Sequence, residues 1–335
     1  MKLSVLDQAP ISKGSTPEET LQNTIALAQW TESLGYHRYW VAEHHNTSGL
    51  ASSSPEILMT QIASSTEHIR VGSGGILLPQ YNPYKIAENG KTLSALFPNR
   101  IDLGFGNSPG GSPITQKALT DDHIKPIEDF YRQASDLQGF LHNSLPRDHQ
   151  FRLVKAGPRI DNPPTMWLLG LTENGARNAA QLGIGFVFGH FINPKYKEIA
   201  MKRYYEDFKP SVNMKEPSTI VCIFVVCAET DEAAEQLAIS QDKWLLNVGK
   251  GLGTKVQPPE EINIDDYTEE ELELIKTNRK RSIIGSPQTV KKQLNQLAEE
   301  YQTDEFMIIT NIYDFEAKKK SYQLLAEEIL TENEI

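Results

Sequence analysis

Residues 43–45 of this 335-residue chain read Glu-His-His. A histidine titrates close to neutral pH, so this tripeptide carries groups suited to general acid–base work. It follows the apolar segment Tyr39–Ala42, where a strand would give way to a loop. Successive side chains of an extended segment diverge, and the competing reading makes both His44 and His45 structural, one in the rim and one facing solvent. Metal binding is disfavoured, because adjacent histidines lack the i, i+4 spacing that aims two ligands at one ion, and no matching cysteine or histidine cluster accompanies them. A second feature is the run Val71-Gly72-Ser73-Gly74-Gly75-Ile76. Glycines inside a strand weaken it and mark either a bulge or a close approach of backbone to something flat, such as a planar ring. A third, Gly104-Phe105-Gly106-Asn107-Ser108-Pro109-Gly110-Gly111, superficially resembles a phosphate-cradling loop. Its spacing does not fit the dinucleotide fingerprint and no acidic residue follows at the right distance, so a Rossmann site is rejected.

These features need elements to position them. Eight short apolar segments supply the pattern: Lys2–Leu6, Tyr39–Ala42, Ile69–Leu78, Ile101–Phe105, Met166–Leu169, Gly185–Phe188, Ile220–Cys227 and Phe306–Thr310. Most are followed by a helical stretch, which predicts a (β/α)8 TIM barrel with insertions. Such barrels build their sites at the C-terminal ends of the strands. The residues expected to converge are therefore Asp7, Glu43 to His45, Gly72 to Gly75, Asn107 and Ser108, Gly170 to Asn174, His190, Glu229, and Thr310 with Asn311.

Helix starts support the alternation. Thr16-Pro17-Glu18-Glu19 combines an N-cap, a proline at the first helical position and a capping-box glutamate, and Leu21, Ile25 and Ala28 should form the buried stripe. Ser54-Pro55 and Ser286-Pro287 repeat the signal. The helix starting near Pro83 should bury Ile86, Leu93 and Leu96. Leu145–Pro164 reads as a proline-rich surface excursion, and residues 247–266, with three glycines and an acidic run, as either a mobile lid or a solvated loop.

One barrel with insertions accounts for all 335 residues as a single domain. A net charge of −11 argues against a nucleic-acid or anionic-membrane partner. With no signal peptide and no bilayer-spanning run, the expectation is a cytoplasmic protein. Cys222 and Cys227 lie five apart on one predicted strand, which places them on opposite sides as packed thiols.

In combination, Trp40-Val41-Ala42-Glu43-His44-His45, Val71 to Pro79 and Arg100 to Gly111 resemble the luciferase-like monooxygenase family, over essentially the whole chain. The resemblance implies a flavin-dependent oxidoreductase. The leading expectation is a two-component monooxygenase that takes reduced FMN from a separate flavin reductase and uses molecular oxygen on a small organic substrate. A deazaflavin (F420)-dependent hydride-transfer enzyme and a non-catalytic flavin- or ligand-binding protein are the alternatives. It further implies His44 as the proton-transferring residue, with His45 beside it, and a cis peptide at Gly74–Gly75 behind the flavin ring. Gly170, Leu171, Thr172, Asn174 and Gly175 would hold the phosphate at a helix start. Two departures bear on that cradle. Asn107 stands where close relatives carry arginine, and Gly170-Leu171-Thr172-Glu173 stands where they read Gly-Ser-Ser-Gly. Glu173 would repel a phosphate unless its side chain turns away, and Arg177 is the candidate compensating charge. Relatives often pair, so a homodimer is expected, through an apolar patch around Leu58–Ile62 and Leu93–Phe97.

Overall fold

The structure, a computed structural model, is described for residues 1–331. Ten strands form one parallel sheet: β1 (Lys2–Asp7), β2 (Arg38–Val41), β3 (Arg70–Ser73), β4 (Ile76–Leu77), β5 (Ile101–Gly106), β6 (Thr165–Gly170), β7 (Gly185–Gly189), β8 (Thr219–Cys227), β9 (Ser282–Gly285) and β10 (Glu305–Ile309). The order β10-β1-β2-β3-β5-β6-β7-β8 closes on itself, because β10 pairs with both β1 and β8. This is the closed eight-stranded parallel barrel expected from the sequence, ringed by helices.

Two strands depart from the expected pattern. The predicted segment Ile69–Leu78 is broken into β3 and β4, and the break is a cis peptide bond between Gly74 and Gly75. β9 was not anticipated. It extends the C-terminal half of β8, pairing Phe224 with Ser282 and Cys227 with Gly285.

The helices are α1 (Pro17–Ser33), α2 (Pro55–Ser64), α3 (Pro83–Leu96), α4 (Pro113–Thr120), α5 (Phe130–His142), α6 (Glu173–Leu182), α7 (Lys197–Asp207), α8 (Asp231–Gly249), α9 (Glu269–Arg279), α10 (Pro287–Tyr301) and α11 (Phe315–Ile329). Thr16 and Glu19 form the capping box that starts α1. The buried face of α1 is rotated from the predicted stripe, however, and comprises Thr20, Thr24, Leu27, Ala28 and Thr31. The threonines can be buried because their hydroxyls are satisfied: Thr20 and Thr31 donate to carbonyls four residues back, and Thr24 donates to Asp7 at 2.7 Å. Ser54 and Ser286 precede α2 and α10 as predicted, but neither side chain caps its helix. In α3, Ile86 and Leu93 are buried while Leu96 is 60% exposed, since it falls in the last turn beyond the packed face.

Alternation along the strands divides the core in two. Leu3 and Val5 of β1 pack outward against helices, whereas Leu6 joins Trp40, Trp167, Cys222 and Met307 inside the barrel. Cys222 faces this interior and Cys227 the outer layer, as their spacing predicted. The N-terminal end of the barrel holds a buried ion cluster. Asp102 accepts from Arg38 at 2.6 Å, from Arg70 at 2.5 Å and from the Trp40 indole at 3.1 Å, and Arg38 also binds Glu305 at 2.8 Å. Chemistry is thereby left to the other end.

The segment 247–266 leaves α8 and returns over the loops that follow β1 and β2. Val256 is buried and bridged to Ser12, Trp244 donates to the Thr254 carbonyl at 2.8 Å, and Ser240 donates to the Gln257 carbonyl. Among the described residues no helix is long and apolar enough to cross a membrane.

Candidate active site

A cavity of about 900 Å³ opens where the barrel strands end. All ten residues singled out for catalysis or cofactor binding line it: His44, His45, Gly74, Gly75, Asn107, Gly170, Leu171, Thr172, Asn174 and Gly175. They arrive from the ends of β2, β3, β5 and β6, which are neighbours in the barrel.

The Glu-His-His tripeptide divides its labour. Glu43 is buried and accepts from the Leu77 amide at 2.9 Å, from the Tyr81 hydroxyl and from His45 Nε2 at 2.7 Å. It ties the loop after β2 to the segment after β4 and fixes the plane of His45. His44 carries no such clamp. Its Nδ1 is buried with no hydrogen-bond partner, and burial, with the neighbouring His45 adding to it, pushes the imidazole down from 6.5 to about 4. Burial thus favours the uncharged ring at neutral pH, and His44 borders the cavity with one ring nitrogen unpaired.

Beside it, the Gly74–Gly75 segment presents bare backbone. A Cβ on Gly74 would lie 2.5 Å from Leu6 Cδ1, and one on Gly75 would lie 3.0 Å from the Gly104 carbonyl oxygen. A side chain at either position would force its neighbours to shift, so this part of the lining is backbone.

Across the cavity, Thr172 caps α6 by accepting from the Gly175 amide at 3.2 Å, and its carbonyl takes the Ala176 amide. The amides of Glu173 and Asn174, in the first turn, have no carbonyl partner within the helix. Glu173 turns away: it pairs with Arg177 at 3.0 Å and Arg203 at 2.9 Å, and it does not line the cavity. That removes the expected repulsion. It also removes the expected compensation, because Arg177 is spent on Glu173 and Asp207. Among the described residues no lysine or arginine lines the cavity.

Several residues expected at the site are elsewhere. Asp7 points outward, bonded to Thr24, Tyr39 and Lys318, and these partners hold its carboxyl below the usual range against the opposing effect of burial. His190 is buried behind the wall with Nδ1 2.7 Å from the Tyr301 hydroxyl. Thr310 donates to the Val225 carbonyl, and Asn311 and Glu229 lie outside the lining. The lining also contains Gln8, Glu128, Tyr131, Asn178 and Phe191, which the sequence reading missed. Strand parity could have found Gln8, since it shares a side with Ser4 and Leu6 while Asp7 shares one with Leu3 and Val5.

A closed eight-stranded parallel barrel with a cavity at the C-terminal ends of its strands defines a TIM-barrel protein with its candidate site where such barrels place theirs. The chain belongs to the luciferase-like monooxygenase family, whose model matches residues 1–304. It is 56% identical over 325 residues to uncharacterized protein YceB of Bacillus subtilis (strain 168), covering 97% of this chain and 98% of that protein. It is 36% identical over 334 residues to the N-acetyl-S-alkylcysteine monooxygenase of the same organism, covering 98% of each. Apo-MsnO8 superposes with a TM-score of 0.87 at 34% identity, covering 98% of both chains.

More distant structures share the fold alone. The oxygenating constituent of 3,6-diketocamphane monooxygenase from Pseudomonas putida, solved with FMN, has a TM-score of 0.73 at 20% identity and covers 98% of this chain and 97% of its own. An F420-dependent secondary alcohol dehydrogenase has 0.66 at 13%, covering 98% of both.

Proposed function

We propose that this chain is the oxygenating component of a two-component flavin monooxygenase, using reduced FMN delivered by a separate reductase and molecular oxygen to oxidise a small organic substrate. The observation that carries the reading is the convergence on one cavity of a buried histidine with an unpaired ring nitrogen, a glycine segment that presents backbone, and the start of α6. The cavity is large enough for a flavin and a small substrate together. Membership of a monooxygenase family, with a 36% identical relative named for a monooxygenase reaction, supports the same class.

The reduced flavin would supply the electrons that activate oxygen. The chain supplies the rest. Gly74 and Gly75 would lie against the ring, and the amides of Glu173 and Asn174 with Thr172 would hold the phosphate. Leu6, Leu169 and Val187 would keep water from the reacting face. His44 would give or take one proton at the oxidised atom, while Glu43 holds His45 in place.

A deazaflavin is the second reading, since an F420-dependent enzyme is built on the same barrel. Anaerobic titration with reduced FMN and with reduced F420 separates the two. Micromolar binding of reduced FMN alone supports the monooxygenase, and binding of F420 alone replaces it with hydride transfer.

Two copies would pair through α2 and α3, where Ile57 is 71% and Leu96 60% exposed, whereas Ile62 and Leu93 of the expected patch are in the core. Gel filtration giving a monomer at micromolar concentration would remove this pairing.

A further inference from the structure

The cavity has two unlike halves. One holds the glycine wall and the α6 start. The other runs into the barrel and is lined by Leu6, Val187, Phe191, Cys222 and Met307, an apolar lobe that continues the interior core. Gln8, the residue that follows β1 and the second after Leu6, also lines the cavity and is 7% exposed. Its Oε1 is buried with no hydrogen-bond partner.

We infer that the lobe around Gln8 is the substrate subsite, and that it selects an uncharged molecule with an apolar body and one hydrogen-bond donor, an amide or hydroxyl, directed at Gln8. The inference rests on the flavin reading, which assigns the opposite half to the cofactor. Three observations carry it. A buried amide oxygen without a protein partner can be satisfied by a ligand that donates to it, while a ligand that cannot donate leaves it unpaired. The apolar lining rewards a hydrocarbon body. In this lobe, away from the α6 start, an anion finds nothing to pair with: among the described residues no lysine or arginine lines the cavity, burial favours the uncharged form of His44 at neutral pH, and Glu43 and Glu128 are on the wall. Burying an unpaired carboxylate there would cost more than the lobe returns. Gln8 is thus a specificity-determining residue, which binds substrate and takes no part in proton transfer.

The test uses hexanamide and hexanoate, which share a chain length and differ in charge and in the N–H donor. Their binding to the full-length protein is measured anaerobically by calorimetry with and without reduced FMN, for wild type and for Gln8→Leu, alongside the dissociation constant of reduced FMN for each sample. Wild type is expected to bind hexanamide about tenfold more tightly than hexanoate, and Gln8→Leu to weaken hexanamide about fivefold. Equal or tighter binding of hexanoate by wild type overturns the inference and needs no variant. A folded Gln8→Leu protein that binds hexanamide as wild type does overturns the role of Gln8. Hexanamide selectivity in a protein that fails to bind FMN upholds the neutral subsite and overturns the cofactor reading alone.

Discussion

Replacing His44 with glutamine should flatten the acid sensitivity of the fold. Burial holds the imidazole of His44 at about 4, against 6.5 for an ordinary histidine. Between those values the unfolded chain binds a proton that the folded chain does not, so stability falls as pH falls through this window and is insensitive to His44 above it. At pH 5 the difference in protonation amounts to about 2 kcal/mol, an upper bound because the ring borders a cavity that water enters. His190, pushed down to about 4 by its own burial, makes a similar contribution in both proteins and cancels. The assay is urea unfolding followed by tryptophan fluorescence at pH 8 and pH 5. Wild type should lose about 1–2 kcal/mol more than His44→Gln between these two pH values. Equal losses would mean that His44 titrates normally in the fold, and the uncharged proton-transfer residue at the centre of the site would be wrong.

Further substitutions probe the rest of the account. Asn107→Arg restores a cation at the β5 end and should tighten FMN about fivefold while leaving riboflavin, which lacks the phosphate, unchanged; in a fluorescence titration, an equal gain for both would place the phosphate elsewhere. Thr172→Ala removes the cap that accepts the Gly175 amide and should cost about 1 kcal/mol of stability together with FMN affinity, so a stability loss with unaltered FMN binding would detach α6 from the cofactor. Asp102→Asn leaves Arg38 and Arg70 without their shared buried anion and should destabilise by about 3–5 kcal/mol in urea unfolding, with a loss below about 1 kcal/mol refuting the cluster's structural role.

The barrel was legible because parallel strands buried on both faces read as apolar runs, and because the α1 start carried a complete capping box. What escaped had physical causes. β9 is four residues long, Ser282–Gly285, with two isoleucines, too short to stand out from a helix-flanking turn. The buried face of α1 was misjudged because threonines with satisfied hydroxyls replace aliphatics there. At the site, residue types and strand ends brought His44, Gly74 and Thr172 to one cavity. Composition could not tell which way Glu173 turns, because its partner Arg203 lies thirty residues away on α7. Nor did it separate Asp7, the last residue of β1, whose side chain bonds to Thr24 and Tyr39, from Gln8, the next residue, which lines the cavity.

The central claim is that this cavity receives reduced FMN and controls its reaction with oxygen. The direct measurement is to load the protein anaerobically with reduced FMN, mix it rapidly with oxygen, and follow the flavin absorbance. The account predicts saturable, micromolar loading and reoxidation through a bound species whose spectrum differs from both free reduced and free oxidised flavin. Reoxidation with the rate and spectrum of free flavin, whatever the protein concentration, would contradict it.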